Sequence, residues 1–274
     1  MGNKLVEWMS ALTTSSEEAT PDILVLQFTI VNAFLIGQPG GPFAVVDTGL
    51  ENSADFIVDA VESRFGKGAR PEAIILTHGH FDHVGSVIAL SNRWDVPVYI
   101  HRLEMPYVTG QKDYPLADPT VSAGMVAQMS PTFPHTAIDL GQRVRPLPND
   151  GSVPGMAGWT WLHTPGHTEG HVSLFRDSDR VLLPADAFTT VKQESLLSVV
   201  TQSEQISGPP QYLTVDWDEA ERSVALLREL KPSLALPSHG QPMKGEELSS
   251  HLNLLVQHFH EIAVPEQGRF VEGP

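Results

Sequence analysis

Three of the chain's 12 histidines fall within six residues, in the order His78-Gly79-His80-Phe81-Asp82-His83. A neutral imidazole ligates a divalent ion at about 2.0–2.1 Å and a carboxylate at about 2.0–2.2 Å. Four donors this close together suit one ion or two adjacent ones. The chain has no cysteine, which excludes disulfides, thiolate metal sites, iron–sulfur clusters and cysteine nucleophiles together. Any metal must therefore be held by histidine and carboxylate.

The elements that must position these donors follow from the flanking pattern. The apolar run 73–77, with Ile74, Ile75 and Leu76, predicts a buried strand, and 84–92 predicts a helix. The histidines then sit on a tight turn at a strand end, where several side chains can converge on one point. A further strand at 96–100 completes a βαβ rhythm, which implies sheet packed under helices. Upstream, 23–28, 33–36 and 43–46 are β-prone, and the Gly- and Pro-rich turn 37–42 makes the last two a hairpin. A helix is expected over 53–65, with Gly66 as its stop.

Residues 102–157 mix Pro, Gly, Met and polar residues, with a weak helical period only near 121–129. We read this stretch as a pocket-shaping insertion within one domain spanning 1–274. Order resumes with strands expected at 159–163, 172–175, 181–183 and 234–236. Asp216-Trp217-Asp218-Glu219 is a capping box, opening a helix with Ala220, Val224, Leu227 and Leu230 on one side. Leu248, Leu252, Leu255, Phe259 and Ile262 mark a closing amphipathic helix. The two halves echo each other, since Thr77-His78-Gly79-His80 resembles Thr164-Pro165-Gly166-His167, as a pair of β-rich halves sharing a site would require.

Composition narrows the partners. With 17 Lys and Arg against 33 Asp and Glu, the formal net charge is −16. A field of that sign repels polyanions, which excludes a nucleic-acid partner. The most apolar stretch, 23–36, is interrupted by Gln27, Thr29 and Asn32, short of the roughly 18 apolar residues a membrane helix requires. Met1-Gly2-Asn3-Lys4-Leu5-Val6 lacks the Ser or Thr of a myristoylation signal. The expectation is a soluble, cytoplasmic protein acting on a small-molecule substrate, with no membrane contact and its oligomeric state left open.

Residues 78–83, with the Gly85 that follows, resemble the signature His-x-His-x-Asp-His of the metallo-β-lactamase superfamily. The resemblance extends from about Leu26 to Met243. Asn32 and Val46-Asp47-Thr48-Gly49 are similar to the family's first hairpin, and 162–171 to its second ligand segment, where the matching ligand is His167. Pro184-Ala185-Asp186 stands where the family usually has Gly-Asp, and Pro237-Ser238-His239-Gly240 resembles the last ligand motif. The resemblance implies an α+β fold, an αββα sandwich of two mixed β-sheets flanked by helices. It also implies an allocation of ligands: His78, His80 and His167 on one metal, Asp82, His83 and His239 on a second, and Asp186 bridging. Seven donors are too many for one tetrahedral zinc. Two divalent ions, with Zn2+ expected and Fe, Mn or Ni chemically suited, would generate a bridging hydroxide that attacks a carbonyl. Asp82 would orient that hydroxide and pass its proton to the leaving group.

Other residues carry lesser claims. Asp47 is a candidate to hold a ligand imidazole, or only to cap its own turn with Thr48 and Gly49. Tyr107 and Tyr212 are candidate substrate-binding phenols, and Met105, Met125 and Met129 candidate apolar lining. The polar run 192–195 either lines the pocket or forms a loop. His163 and His171 flank His167 and are either supports for the ligands or ordinary packed histidines. His101, His135, His251, His258 and His260 are expected to be structural or solvated. Within the family, the true β-lactamases generally lack a carboxylate at the place of Asp186, and glutathione thioesterases carry late basic residues, whereas only Lys244 and Arg269 follow His239 here. A lactone or an ester is therefore the expected substrate of a dinuclear hydrolase. The alternatives are β-lactam or thioester hydrolysis, and a mononuclear iron dioxygenase of a persulfide-like thiol on the same fold.

Overall fold

Strand pairing begins with a polar edge. In a computed structural model describing residues 14–191 and 206–271, β1 (Ser15–Thr20) pairs antiparallel with β2 (Ile23–Gln27). The sequence pattern misses β1 because Ser-Ser-Glu-Glu-Ala-Thr carries no apolar alternation. A charged edge strand pairs through its backbone while discouraging further strand addition. β2 continues antiparallel to β3 (Asn32–Ile36), and β3 to β4 (Ala44–Val46), the hairpin expected around residues 37–42. β5 (Ala73–Ile75), β6 (Val98–Ile100) and β7 (Val144–Pro146) then add in parallel, giving a mixed seven-stranded sheet in sequence order.

The chain divides into two compact units, the first formed by residues up to 114 together with 134–157. Its helix α1 (Ala54–Phe65) ends at Gly66 as expected and buries Ile57, Val58 and Val61. Phe65 stacks on Phe43 with centroids 3.7 Å apart. The single helix expected at 84–92 is instead two, α2 (Phe81–Val84) and α3 (Val87–Trp94). The break has a steric cause. A Cβ on Gly85 would lie 2.3 Å from the Leu50 carbonyl carbon, and the Gly85 N–H donates to Gly49 O at 2.9 Å. This close backbone approach holds the turn after the histidines against the 49–51 loop. Of the 102–157 stretch, α4 (Met105–Val108) and β7 lie in this first unit, and β7 is a strand of its sheet. Only Val144 of β7 is buried, so no apolar pattern announces it.

The second unit comprises residues 115–133 and those from 158 onward. It contains α5 (Met125–Met129) and a five-stranded sheet of β8 (Trp159–His163), β9 (Val172–Arg176), β10 (Val181–Ala185), β11 (Leu234–Pro237) and β12 (Met243–Lys244), ordered β12-β11-β10-β9-β8. β8, β9 and β10 are successively antiparallel, and β10 is parallel to β11. β8, β10 and β11 therefore run in the same direction and end at the same edge of the sheet. Helix α6 (Trp217–Glu229) begins at Asp216, whose carboxylate accepts from the Glu219 N–H at 2.9 Å, as the capping box requires. Its Ala220, Val224 and Leu227 pack with Leu248, Leu252 and Leu255 of α7 (Gly245–Gln257) and Phe259 of α8 (Phe259–Ile262). Each fully buried Leu, Val or Phe contributes about 1.5–3 kcal/mol by leaving water. The run 192–195 lies outside the described residues. Among the described residues, no helix is long and apolar enough to cross a membrane.

Candidate metal centre

Parallel pairing places the first donors. β4 and β5 are in register at Val46 and Ile75, and both strands end together, so Asp47 and the Thr77-His78 segment emerge side by side. The Asp47 N–H donates to Ile75 O at 2.9 Å. The Asp47 carboxylate, wholly buried, accepts from the Thr77 N–H and hydroxyl, both at 2.9 Å, and lies 2.9 Å from His83 Nδ1. A carboxylate only accepts, so His83 carries its proton on Nδ1 and presents the lone pair of Nε2. The same reasoning settles His78. The Thr77 hydroxyl spends its proton on Asp47, so it accepts from His78 Nδ1 at 3.1 Å, and Nε2 is the atom left to face a candidate ion.

His78 Nε2 lies 3.1 Å from His80 Nδ1. Two nitrogens at that separation, each about 2.0–2.1 Å from a common ion, subtend about 100° at it, close to a tetrahedral angle. Asp82 Oδ1 lies 3.9 Å from His83 Nε2. All four donors of the segment are buried.

In the second unit the strand ends again supply the donors. His167 follows β8, Asp186 follows β10 and His239 follows β11. His167 Nδ1 is 3.2 Å from the Thr214 hydroxyl, which donates to Pro210 O at 2.8 Å. Thr214 therefore accepts from His167, and His167 Nε2 carries a lone pair. That Nε2 is 3.3 Å from Asp186 Oδ2, and His239 Nε2 is 3.2 Å from the same oxygen. One carboxylate oxygen thus sits beside two imidazoles, all buried. His171 braces this arrangement. Its Nδ1 donates to Thr164 O at 2.9 Å, and its Nε2 accepts the Asp186 N–H at 3.0 Å.

The other candidates fall in varied places. Tyr107 is buried and stacked on Tyr114, centroids 3.9 Å apart. Tyr212 is buried with its ring edge-on to Phe133. Met105 packs against the core of the first unit, while Met125 is exposed. His163 is exposed and bonds the Glu169 carbonyl. His258 and His260 lie exposed near Glu261 and Glu221.

Sequence reasoning passed over Thr77, Thr214, Glu104 and Tyr114. The recurrence of Thr77 as Thr164 in the repeated segment was a signal for Thr77. Thr214, Glu104 and Tyr114 had none, since their partners are remote in the chain. Glu104 is fully buried and accepts from the Gly79 N–H and the Tyr114 hydroxyl. Burial, then the negative charge of Glu104, pushes the Tyr114 phenol well above its usual range, so Tyr114 remains a donor.

Residues 26–239 match the profile of the metallo-β-lactamase superfamily. A probable metallo-hydrolase of Bacillus subtilis (strain 168), YflN, is 46% identical over 247 residues, covering 89% of this chain and 94% of that one. TTHA1623, solved in a di-iron-bound form, is 25% identical, with a TM-score of 0.56 over 83% of this chain and 92% of that one. A B3 metallo-β-lactamase with an active-site glutamic acid shares the fold, at TM-score 0.60 and 17% identity over 96% of this chain and 94% of that one.

Proposed function

Because the chain belongs to the metallo-β-lactamase superfamily, we propose that it is a dinuclear metallo-hydrolase of a small carbonyl substrate, a lactone or an ester. In this reading His78, His80 and His167 would hold one divalent ion, Asp82, His83 and His239 a second, and Asp186 would be shared between them. The observation that carries it is the position of Asp186 Oδ2, 3.3 Å from His167 Nε2 and 3.2 Å from His239 Nε2. Two imidazole nitrogens and a carboxylate oxygen thus converge away from water. A shared cation makes such a contact favourable, and none of the donors is a thiolate. Imidazole and carboxylate suit Zn2+, Fe, Mn or Ni alike.

Bound divalent ions would supply Lewis acidity and bring the pKa of water down to about 7. The chain's own residues do the rest. Thr77, Asp47 and Thr214 engage Nδ1 of His78, His83 and His167 and so turn their Nε2 atoms toward the site. Asp82 accepts a proton at its carboxylate and returns it to the leaving group. Tyr107 and Tyr212 are assigned to the substrate side as phenol donors. The bridging carboxylate, the few late basic residues and the net charge of −16 favour a neutral ester or lactone over a β-lactam, a glutathione thioester or a polyanion.

Elemental analysis of protein purified without chelator is expected to give about two equivalents of divalent metal, with turnover of lactones or aryl esters. Asp186→Ala should lose metal and turnover together, while His251→Ala and His258→Ala keep both. A single equivalent of iron with oxygen uptake would replace this reading with thiol dioxygenation. Preferential turnover of phosphodiesters or a glutathione thioester would overturn the substrate class and leave the metal assignment standing.

A further inference from the structure

A buried carboxylate and a buried phenol converge on the residue that separates His78 from His80. The Gly79 N–H lies 3.1 Å from Glu104 Oε2 and 3.0 Å from the Tyr114 hydroxyl oxygen, and that hydroxyl donates to the same Oε2. One acceptor suffices for an amide. Here two side chains, Glu104 fully buried and Tyr114 nearly so, serve the same N–H. Burying a carboxylate is costly, and this one accepts from the N–H of the turn between two candidate ligands.

Packing ties the pair to that turn. The Tyr114 ring lies against His80, centroids 4.5 Å apart, and also stacks on Tyr107. A Cβ on Gly79 would stand 2.6 Å from the Tyr114 hydroxyl. With Tyr114 this close, only glycine fits between the two histidines.

We propose that Glu104 and Tyr114 are positioning residues, a buried clamp on the Gly79 amide that sets the His78–Gly79 peptide plane and thereby aims both imidazoles at a metal ion. This rests on the reading that His78 and His80 hold metal. The clamp is redundant by construction. Tyr114→Phe leaves Glu104 as acceptor, Glu104→Gln keeps an acceptor oxygen, and Glu104→Leu leaves the phenol. Only Glu104→Leu combined with Tyr114→Phe strips the Gly79 N–H of both.

The test is chelator competition on the full-length protein loaded with zinc, with visible absorption spectra of the cobalt(II)-loaded forms. The single variants should weaken metal binding severalfold and shift the cobalt bands, with Glu104→Gln retaining most of the affinity. The double variant should lose roughly 10- to 100-fold, the range seen when supports of metal ligands are removed, and more than the product of its single variants. A lost packing contact alone would lower the melting temperature of the metal-free protein without moving the cobalt bands. Wild-type affinity and spectrum in the double variant would overturn the clamp. Should the double variant fail to fold, wild-type affinity and an unshifted cobalt spectrum in Glu104→Leu, which leaves the Gly79 N–H only the neutral phenol as acceptor, would overturn it equally. A wild-type protein that binds no metal would instead overturn the underlying metal assignment.

Discussion

Ala185 holds a left-handed backbone, φ 51°, immediately before Asp186. A Cβ in that conformation costs about 1–2 kcal/mol, and glycine avoids it. The superfamily's usual glycine at this place answers the same geometric demand, and here an alanine bears the strain. The strain turns the chain so that the Asp186 N–H reaches His171 and its carboxylate reaches His167 and His239. Ala185→Gly is therefore expected to raise stability by about 1 kcal/mol, read from the urea midpoint, with metal content unchanged. A lower midpoint would show that the left-handed turn is not strained. Asp47 is also left-handed, φ 57°, a conformation that short polar residues tolerate. There the turn serves to point a carboxylate at Thr77 and His83 rather than at Thr48 and Gly49.

At the level of elements, the donors follow the carboxyl ends of β5, β8, β10 and β11. These ends are where loops are free to carry side chains while the strands stay buried. Helix α6 buttresses one such loop. Gly166 O accepts from the N–H groups of Val215 and Asp216 at 3.1 and 3.0 Å, and a Cβ on Gly166 would lie 2.3 Å from the Ala220 nitrogen. The start of α6 thus grips the residue before His167. Asp216→Ala removes the cap on Glu219 and should cost about 1 kcal/mol of stability, measured by thermal or urea unfolding. Asp216→Asn should recover most of that loss, since its amide oxygen still accepts. If Ala and Asn behaved alike, the Asp216 side chain would contribute nothing as a cap.

For the whole molecule, the proposed donor set draws on seven side chains, His78, His80, Asp82, His83, His167, Asp186 and His239. A ligand that binds the folded chain and not the unfolded one stabilises it by mass action, about 2.7 kcal/mol at a free concentration 100 times its Kd. For a chain of this size that corresponds to a rise of roughly 5–10 °C in melting temperature. Zinc or iron added to chelator-treated protein should raise the melting temperature by that order, and Asp186→Ala should abolish most of the rise. An equal rise in Asp186→Ala would place the stabilising metal elsewhere. Magnesium, which keeps its waters and prefers oxygen ligands, should give little.

Much of this protein was determined by sequence alone. The spacing of His78, His80, Asp82 and His83 points to metal chemistry because donors on one tight turn are local, and the strands at 73–75 and 181–183 announce themselves by continuous apolar runs. The family motifs extended that reading to His167, Asp186 and His239. Tertiary structure alone decided which side chains hold the candidate ligands in place. Thr214 lies 47 residues from His167, and Tyr114 lies 35 residues from Gly79. No periodicity marks such partners, because they are chosen by where strand ends and loops meet. The edge strands β1 and β7 were silent for a related reason. They are held by backbone hydrogen bonds to a neighbouring strand, and a backbone bond leaves no trace in side-chain pattern.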